Sequence, residues 1–552
     1  MKFWPQWTEK VVVEGAGRDP LGLSRVSDVL TEYLLPGIVT TTSRARYYSF
    51  YAWAISEVCE RIKEAKQGVE FEDEFQKREA AFAMSSRLGR ITGLTIVGID
   101  EVERQLTAAA EDEVVDPRFR VLPSNATGGL GQYYGGCLQK MALAGGDEDG
   151  GWVIEDERGK KLSDAFRRST AAAPYVTGGW ASKARVPLDV VKRSSRLFSL
   201  DGIRTKQAEA ERQLLIQIFF DLDKGAAGKG GGSSRQATLA QFLHISEAYR
   251  KLGASIPRKD AEASLLFWPH YYGDLDNGDG GSVPYESPPV FAENTRLWRQ
   301  FCAHQFFAFA AEEFLQAAID ALSPFPEGLT KDELIERMVD HDLEKDLAEV
   351  TGRRCKSPWE LLGFFGATDE PTRATSGKAA SKFSTEHPLN EWAVVANWEG
   401  TPDTRLARAF VLLCQLYAKW WGLRDDEGYV AVDAVNPAQE WWLGSALQWG
   451  DTWRKEKHGW NEAISGLLGH VMNRHEEIRF QKRKLEASWL EFSSGRYRMQ
   501  QDLRPQFRAS RHPNMVTIFQ DLGLLDDGDL DDPIQITTSG RNTLKEVMKA
   551  RS

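Results

Sequence analysis

The sequence predicts a mainly α-helical protein of several domains that ends in a winged-helix-like module. Apolar residues recur at the spacing of an amphipathic helix in one segment after another, most clearly over 43–66, 208–222, 293–322 and 404–420. Hydrophobic residues make up 42% of the chain and aromatic residues 11%, a composition typical of folded globular proteins. With 552 residues, the chain is long enough for two to four domains with a sizeable core.

Changes in composition divide the chain into four predicted domains. Residues 1–200 form an N-terminal helical domain with a small β element, and residues 201–350 form a helical middle domain. Residues 351–470 form a helical region rich in tryptophan. Residues 471–552 contain a basic helix, a hairpin and the winged-helix-like module.

The helix predicted over 43–66 begins with an unusual arrangement of charge. Thr42 and Ser43 supply hydroxyl groups where the helix should start, and Arg44 and Arg46 lie in its first turn. A cation at a helix N-terminus opposes the helix dipole, so an anion should be bound there. Two sources of that anion remain open. One is a buried carboxylate from elsewhere in the chain; the other is an external phosphate bound jointly by backbone N–H groups, the hydroxyls and the arginines.

Positive charge is concentrated near the carboxyl end of an acidic chain. The formal charge of the whole chain is −11, yet residues 470–511 contain ten Lys and Arg against five Asp and Glu. Cations clustered in this way bind the phosphate backbone of nucleic acids, which provides affinity and salt dependence without a choice of sequence. We therefore predict DNA as a partner. The residues assigned to this contact are Arg474, Arg479, Lys482, Arg483, Lys484, Arg496, Arg498, Arg508 and Arg511.

The last seventy residues predict a β-hairpin followed by the back half of a winged helix. The hairpin covers Trp489–Met499. The rest reads as a helix over Pro513–Leu522, a wing with an acidic tip at Asp526–Asp532, a strand over Ile534–Thr537 and a closing helix. Winged helices bind DNA in some proteins and act as protein–protein adaptors in others, so both functions stay open.

Catalytic motifs are scarce in the sequence. It contains no phosphate loop of the form G-x-x-x-x-G-K-[ST], no H-E-x-x-H and no G-x-S-x-G. Arg299 and His304 form R-x-x-x-x-H in a predicted helix, which resembles the signature of the helical ribonuclease fold called HEPN. The resemblance implies that Arg299 stabilises phosphoryl charge and that His304 moves a proton as a 2′-OH attacks. Gln300 departs from the Asn, Asp or His often found after the arginine, and the alternative is that His304 is a helix histidine with an internal partner.

The cysteines and the apolar runs predict a cytoplasmic protein. The five cysteines are scattered and never form a C-x-x-C pair, which is typical of a reducing compartment and argues against a thiolate metal site. No apolar core of a signal peptide is present at the start, and no run approaches the roughly 18 apolar residues that cross a bilayer. We expect no membrane partner, no metal and no cofactor.

The N-terminal region resembles a group of bacterial proteins that share a pattern of L-G-[IL]-S, [LF]-P-G and T-x-R-A-R-Y-[YF]-x-F-x-x-W. The resemblance implies a place in anti-phage defence islands, beside genes for helicases and phospholipase-D-like nucleases. It therefore implies a helicase or nuclease subunit as a partner, without indicating a mechanism. The matching residues are Leu21-Gly22-Leu23-Ser24, Leu35-Pro36-Gly37, Arg44-Ala45-Arg46-Tyr47-Tyr48, Phe50 and Trp53.

The favoured function is recognition of nucleic acid within a bacterial anti-phage or anti-plasmid defence complex. In this hypothesis the basic C-terminal module binds the DNA backbone. The alternatives are an RNA-cleaving effector that uses Arg299 and His304, and a scaffold without catalytic activity. The favoured hypothesis requires that the C-terminal lysines and arginines be free of neighbouring carboxylates in the folded protein.

Overall fold

The computed structural model confirms that the protein is mainly helical. The described residues are 19–65, 69–89, 95–146, 151–223, 233–276, 281–339, 342–369, 389–396, 404–423, 441–482, 489–501, 505–527 and 532–551. The helices are α1 (Ser24–Leu34), α2 (Arg46–Ala65), α3 (Phe71–Leu88), α4 (Ile99–Asp112), α5 (Gly135–Lys140), α6 (Arg158–Thr170), α7 (Pro174–Thr177), α8 (Leu188–Ser194), α9 (Glu209–Phe219), α10 (Ser234–Lys251), α11 (Ala292–Leu322), α12 (Lys331–Val339), α13 (Leu343–Thr351), α14 (Pro358–Phe364), α15 (Glu391–Ala396), α16 (Arg405–Trp420), α17 (Leu443–Glu456), α18 (Trp460–Lys482), α19 (His512–Asp521) and α20 (Thr538–Arg551).

The strands are short and form small two-stranded sheets. β1 pairs with β4, β2 with β3, β5 with β6, and β7 with β8. Two π-helical segments, at Leu130–Tyr134 and Ala263–Tyr272, interrupt the α-helical pattern. The strands are β1 (Val114–Val115), β2 (Ala144–Gly146), β3 (Trp152–Ile154), β4 (Val186–Pro187), β5 (Asp274–Asp276), β6 (Ser282–Pro284), β7 (Leu490–Ser493) and β8 (Arg496–Met499).

The chain forms two compact units, and each is assembled from three separate stretches of sequence. Because these stretches interleave, residues that are close in sequence can belong to different units. The division into four consecutive domains stays a prediction. The first unit contains residues 1–30, 270–274 and 296–508, and the second unit contains residues 31–269, 275–295 and 509–552.

Helix α2 lies in the core of the second unit. Every residue from Arg46 to Ser56 is buried, so the helix is covered on all sides rather than along a single apolar stripe. It packs against α3 and α6. Phe50 stacks on Phe82 with ring centroids 4.1 Å apart, and Trp53 contacts Phe166 at 5.3 Å. Burial on all sides requires that the two arginines at the start of this region find partners inside the protein.

Helix α11 is buried along most of its length and carries polar side chains in the core of the first unit. His304, Gln305, Glu312 and Glu313 are each at most 2% exposed. Burial raises the pKa of the Glu312 carboxyl to about 7, although the guanidinium of Arg508 acts in the opposite direction. Buried charges of this kind are tolerated when they are paired, so the arginines that reach α11 have a structural role.

The C-terminal region agrees with the sequence in its helices and hairpin. Helices α19 and α20 confirm the two predicted helices, and Gly523 ends the first of them with a φ of 71°. The hairpin β7–β8 is also confirmed. Ile534 and Ile536, predicted to lie in a strand, form isolated bridges with Ile256 and Leu525. Residues 528–531 of the predicted wing tip lie outside the described residues, so the complete winged-helix arrangement stays a prediction.

Candidate polyanion-binding surface

The anion predicted at the start of α2 is supplied within the second unit by Asp521. Arg44 donates Nε and Nη2 to the two carboxylate oxygens of Asp521 at 2.8 and 2.9 Å. The backbone N–H of Ala45 donates to the same carboxylate at 3.1 Å. Thr42 uses its hydroxyl on the backbone of Val39, and Ser43 is half-buried. Of the two possible anions, the internal carboxylate is therefore the one that binds Arg44, and it occupies the position where an external phosphate would have bound.

We expect Asp521→Asn to lower the free energy of unfolding by about 2 kcal/mol, because the amide retains one acceptor but loses the charge that Arg44 requires. Asp201→Asn is the matched control, because the carboxylate of Asp201 lies farther from Arg44, with Oδ1 4.0 Å from Nη2, and its side chain is 24% exposed. Urea unfolding measures both changes. Phosphate added at constant ionic strength should leave the melting temperature unchanged; a rise in wild type that Arg44→Ala abolishes would instead identify an external phosphate site.

Arg46 is also bound internally rather than by a ligand. Its guanidinium is fully buried and donates Nε and Nη2 to Glu211, each at 3.2 Å. Nη1 donates to the carbonyl oxygen of Leu197 at 2.8 Å. A side chain at Gly202 would meet this guanidinium, because an added Cβ would lie 1.8 Å from Nη1. Arg46 therefore acts as a brace between α2, α9 and the segment before α9.

The structure gives Arg299 and His304 separate partners within the first unit. Arg299 donates Nε to the carbonyl oxygen of His270 at 3.3 Å. His304 lies 2.8 Å, through Nε2, from the carbonyl oxygen of Leu23 and is 2% exposed. Burial lowers the pKa of the His304 imidazole to about 4. Because the His304 imidazole is buried, an RNA strand in solvent cannot reach it in this structure, which agrees with the internal-partner alternative for His304.

Two of the arginines predicted to contact DNA are buried in the first unit. Arg474 is 4% exposed and donates Nε to the carbonyl oxygen of Leu21 at 2.9 Å. Arg508 is 8% exposed and pairs with Glu312. Moving Arg508 to a phosphate would leave Glu312 buried without a counter-charge, which is strongly unfavourable.

Arg511 is buried in the second unit and is also occupied. It is 8% exposed, donates Nη1 to the carbonyl oxygen of Ile38 at 2.8 Å and lies 3.3 Å from a carboxylate oxygen of Glu32. Its backbone has a φ of 62°, an uncommon value for a residue with a side chain. The arginine thus holds the start of α19 against the segment before α2.

The remaining predicted cations are partly exposed or lie outside the described residues. Arg479 pairs with Glu476 at 3.1 Å, and Arg496 pairs with Glu333 at 3.3 Å. Arg498 donates to a backbone carbonyl at 3.2 Å. The side chain of Lys482, together with Arg483 and Lys484, lies outside the described residues. Among the described side chains, the cations of the predicted DNA-binding face that are at least partly exposed are Arg479, Arg496 and Arg498.

A different group of cations is exposed in the first unit. We call it the basic patch and define it as Arg353, Arg354, Lys356 and Lys457. All four are exposed, and no carboxylate of the described residues forms an ion pair with any of them. This distinguishes the basic patch from five of the C-terminal arginines, each of which forms an ion pair with a carboxylate: Arg474, Arg479, Arg496, Arg508 and Arg511.

Two contacts bring the parts of the basic patch together across about a hundred residues of sequence. Trp460 donates its indole N–H to the carbonyl oxygen of Cys355 at 3.0 Å, which ties the loop after α13 to the start of α18. The ammonium of Lys457 lies 5.4 Å from the ring centroid of Trp359. Helix α14 also packs against α16 and α17. The loop and the corner between α17 and α18 therefore form one surface.

Carboxylates border the basic patch without neutralising it. Glu360 accepts the backbone N–H of Lys356 at 2.8 Å, and Glu456 pairs with His458 at 2.7 Å. This surface is not apparent in the sequence because each part is short: R-R-C-K at 353–356 and R-K-E-K at 454–457 do not stand out alone. Several exposed, unpaired cations on one surface suit a ligand with repeated negative charge.

Comparison with protein-family models, curated proteins and solved structures finds no match to this chain. Over the described stretches, no helix combines the length and apolar character needed to cross a bilayer. Within the same stretches, no group of three or more His, Cys, Asp or Glu side chains is arranged to hold a metal ion.

Proposed function

We propose that this protein recognises nucleic acid as a component of a bacterial defence complex, and that the basic patch contacts the phosphate backbone. The observation that carries the proposal is the exposure of Arg353, Arg354, Lys356 and Lys457 without carboxylate partners in the described residues. The defence context rests on the N-terminal resemblance alone. A helicase or nuclease subunit would supply the chemistry.

Binding a phosphate costs less free energy at the basic patch than at the buried C-terminal arginines. An exposed cation without a carboxylate partner can bind a phosphate by releasing small counterions, and that release drives association. Arg474, Arg508 and Arg511 would first have to break internal contacts and leave buried acceptors unsatisfied. The patch therefore offers contact at a lower free-energy cost than the module predicted from the sequence.

Charge reversal tests the basic patch. We expect Arg353→Glu combined with Arg354→Glu to weaken binding to every nucleic acid and to make the slope of log K against log[salt] shallower by about two, since two phosphate contacts are lost. Fluorescence anisotropy with duplex and single-stranded DNA and RNA over a salt series measures both quantities. Because the contacts are to phosphates, the loss should not depend on base sequence.

Arg104→Glu combined with Arg193→Glu is the matched control. These arginines belong to the second unit, their side chains are 70% and 62% exposed, and each already pairs with a carboxylate on its own helix. The control changes net charge by the same amount at positions without free cations. Equal loss in the two double variants would indicate a non-specific effect of net charge, and wild-type binding by both would end the proposal for the patch.

The other functions considered from the sequence receive less support. An RNA-cleaving pair would require His304 to reach solvent, whereas it is 2% exposed. A winged-helix-like module that binds DNA or a protein remains a proposal for the C-terminal segment. If no nucleic acid binds in any of these measurements, the result would favour the remaining hypothesis, a scaffold without nucleic-acid contact.

A further inference from the structure

The residue that follows α17 combines a left-handed backbone with a long side chain. Lys457 has a φ of 51° and a ψ of 43°. In this conformation the Cβ of an L-residue lies too close to a carbonyl oxygen, so helices that end in this way usually have glycine there. The same chain has glycine after α13, where Gly352 has a φ of 74°. Lys457 therefore carries a backbone strain that glycine would remove.

Two other cations already serve the end of α17. Cations near a helix C-terminus stabilise the helix through its dipole, and Arg454 and Lys455 lie in the last turn. Both pair with Asp451, at 3.6 and 3.4 Å. Lys457 is exposed and forms no ion pair with a carboxylate in the described part of the chain. Its charge is therefore available to a ligand.

Trp359 holds the ammonium of Lys457 on one side. The ammonium lies 5.4 Å from the centroid of the indole ring, within the range of a cation–π contact. Trp359 is half-buried and belongs to α14, which is capped by the Ser357 hydroxyl and packs against α16 and α17. The ring is thus fixed in the first unit, while the ammonium keeps N–H donors for a further acceptor.

The lysine adds little net stability to the fold. A cation–π contact at an exposed site stabilises by no more than a left-handed backbone costs for a residue with a Cβ. Strain that the fold itself does not repay is typical of positions that bind a ligand. Lys457 belongs to the basic patch, whose other cations are also exposed.

We propose that Lys457 is a phosphate contact held at a fixed point of the basic patch, and that Trp359 is the positioning residue that holds it. The proposal rests on the function proposed above and assigns the cation that fixes the phosphate backbone on the patch. A mobile lysine loses rotamer freedom when it binds a phosphate. Because the indole ring already orders this side chain, less freedom is lost on binding.

Lys457→Gly should lose affinity without losing stability. Glycine removes the backbone strain, which offsets the lost cation–π contact, so the melting temperature should stay within about 2 °C of wild type. Loss of one phosphate contact should weaken binding of duplex DNA about fivefold near 0.15 M salt and make the salt slope shallower by about one. Thermal melting and fluorescence anisotropy over a salt series measure these quantities.

Lys455→Ala is the matched control for Lys457→Gly. It removes the same charge two residues earlier, from a side chain that is 60% exposed and pairs with Asp451. We expect binding within about twofold of wild type, because this ammonium is already paired. Equal losses in the two variants would overturn the proposal, as would wild-type binding by Lys457→Gly. A fall of more than about 4 °C in its melting temperature would show that the fold needs the lysine, and would also overturn it.

Substitutions at Trp359 test the positioning role. Trp359→Leu should weaken binding about threefold with the salt slope unchanged, because the ammonium remains but is no longer ordered. Trp359→Tyr keeps a ring and should bind within about twofold of wild type. In the Lys457→Gly background, Trp359→Leu should cause no further loss, since the residue that it positions is absent. An equal loss in both backgrounds would show that Trp359 acts on the fold, and would overturn the positioning role.

Failure of this proposal is distinguishable from failure of the proposed function. If Arg353→Glu with Arg354→Glu loses affinity while Lys457→Gly binds like wild type, the basic patch stands and the role of Lys457 is wrong. If both variants bind like wild type, both proposals are wrong. If only Lys457→Gly loses affinity, Lys457 stands as a contact and the two arginines are not contacts.

Discussion

Glu211→Ala should destabilise the protein by about 3–5 kcal/mol, the range observed when one partner of a buried ion pair is removed. Arg46 and Glu211 have no exposed side-chain surface, and the carboxylate also accepts the hydroxyls of Ser49 and Ser169. Removing it leaves a buried guanidinium without its counter-charge and takes one acceptor from each of the two hydroxyls. Urea unfolding followed by circular dichroism measures the loss.

Glu209→Ala is the matched control on the same helix. Glu209 is 55% exposed and pairs with Arg212, an ordinary surface ion pair. Pairs of this kind contribute less than about 1 kcal/mol. If the two alanine variants lose the same stability, the Arg46–Glu211 pair does not brace the second unit. Combining Glu211→Ala with Arg46→Leu should recover part of the loss, because no buried charge then remains unpaired.

Glu79→Gln should remove a pH dependence of stability in the second unit. Burial raises the pKa of the Glu79 carboxyl from 4.5 to about 8, while hydrogen bonds from the Tyr51 hydroxyl at 2.8 Å and the Gly129 N–H at 2.9 Å act in the opposite direction. Above pH 4.5, the normal pKa of a glutamate carboxyl, the unfolded chain has released the Glu79 proton that the folded protein still holds. Wild type should lose stability as pH rises from about 4.5 to about 8, by up to about 5 kcal/mol.

The difference between wild type and Glu79→Gln isolates this group from the others that titrate. Glutamine has the shape of the protonated carboxyl and cannot ionise, so the difference in unfolding free energy should be small near pH 5 and should grow in favour of glutamine up to about pH 8. Urea unfolding at several pH values in this interval measures it. A constant difference over the interval would show that Glu79 is ionised in the folded protein.

The glycine-rich segment that contains Gly129 packs closely against Glu79, and this contact explains its glycines. A Cβ at Gly128 would lie 1.8 Å from a carboxylate oxygen of Glu79, so glycine permits the backbone to approach that side chain. The segment does not match a phosphate loop in sequence. Only the structure could supply the reason for its glycines, because Glu79 lies about fifty residues away in the chain.

Local patterns in the sequence were sufficient for much of the secondary structure. The helix beginning near Arg46 follows from apolar periodicity, and the end of α19 follows from Gly523. The turn at Ser494-Gly495 follows from residues that accept positive φ. These features depend on neighbours within a few residues, so the sequence by itself determined them. The sequence also indicated that Arg44 needs an anion, because a cation at a helix N-terminus opposes the helix dipole, and this depends only on its position in the helix.

The tertiary structure alone decided which partner each charge finds. Asp521, which binds Arg44, is 477 residues away in sequence, and Arg508 reaches Glu312 through the packing of the first unit. Ten cations are close together in sequence, but successive side chains on a helix or a strand point in different directions and meet different neighbours. The basic patch arises for the same reason, since packing joins Cys355 to Trp460 across 105 residues.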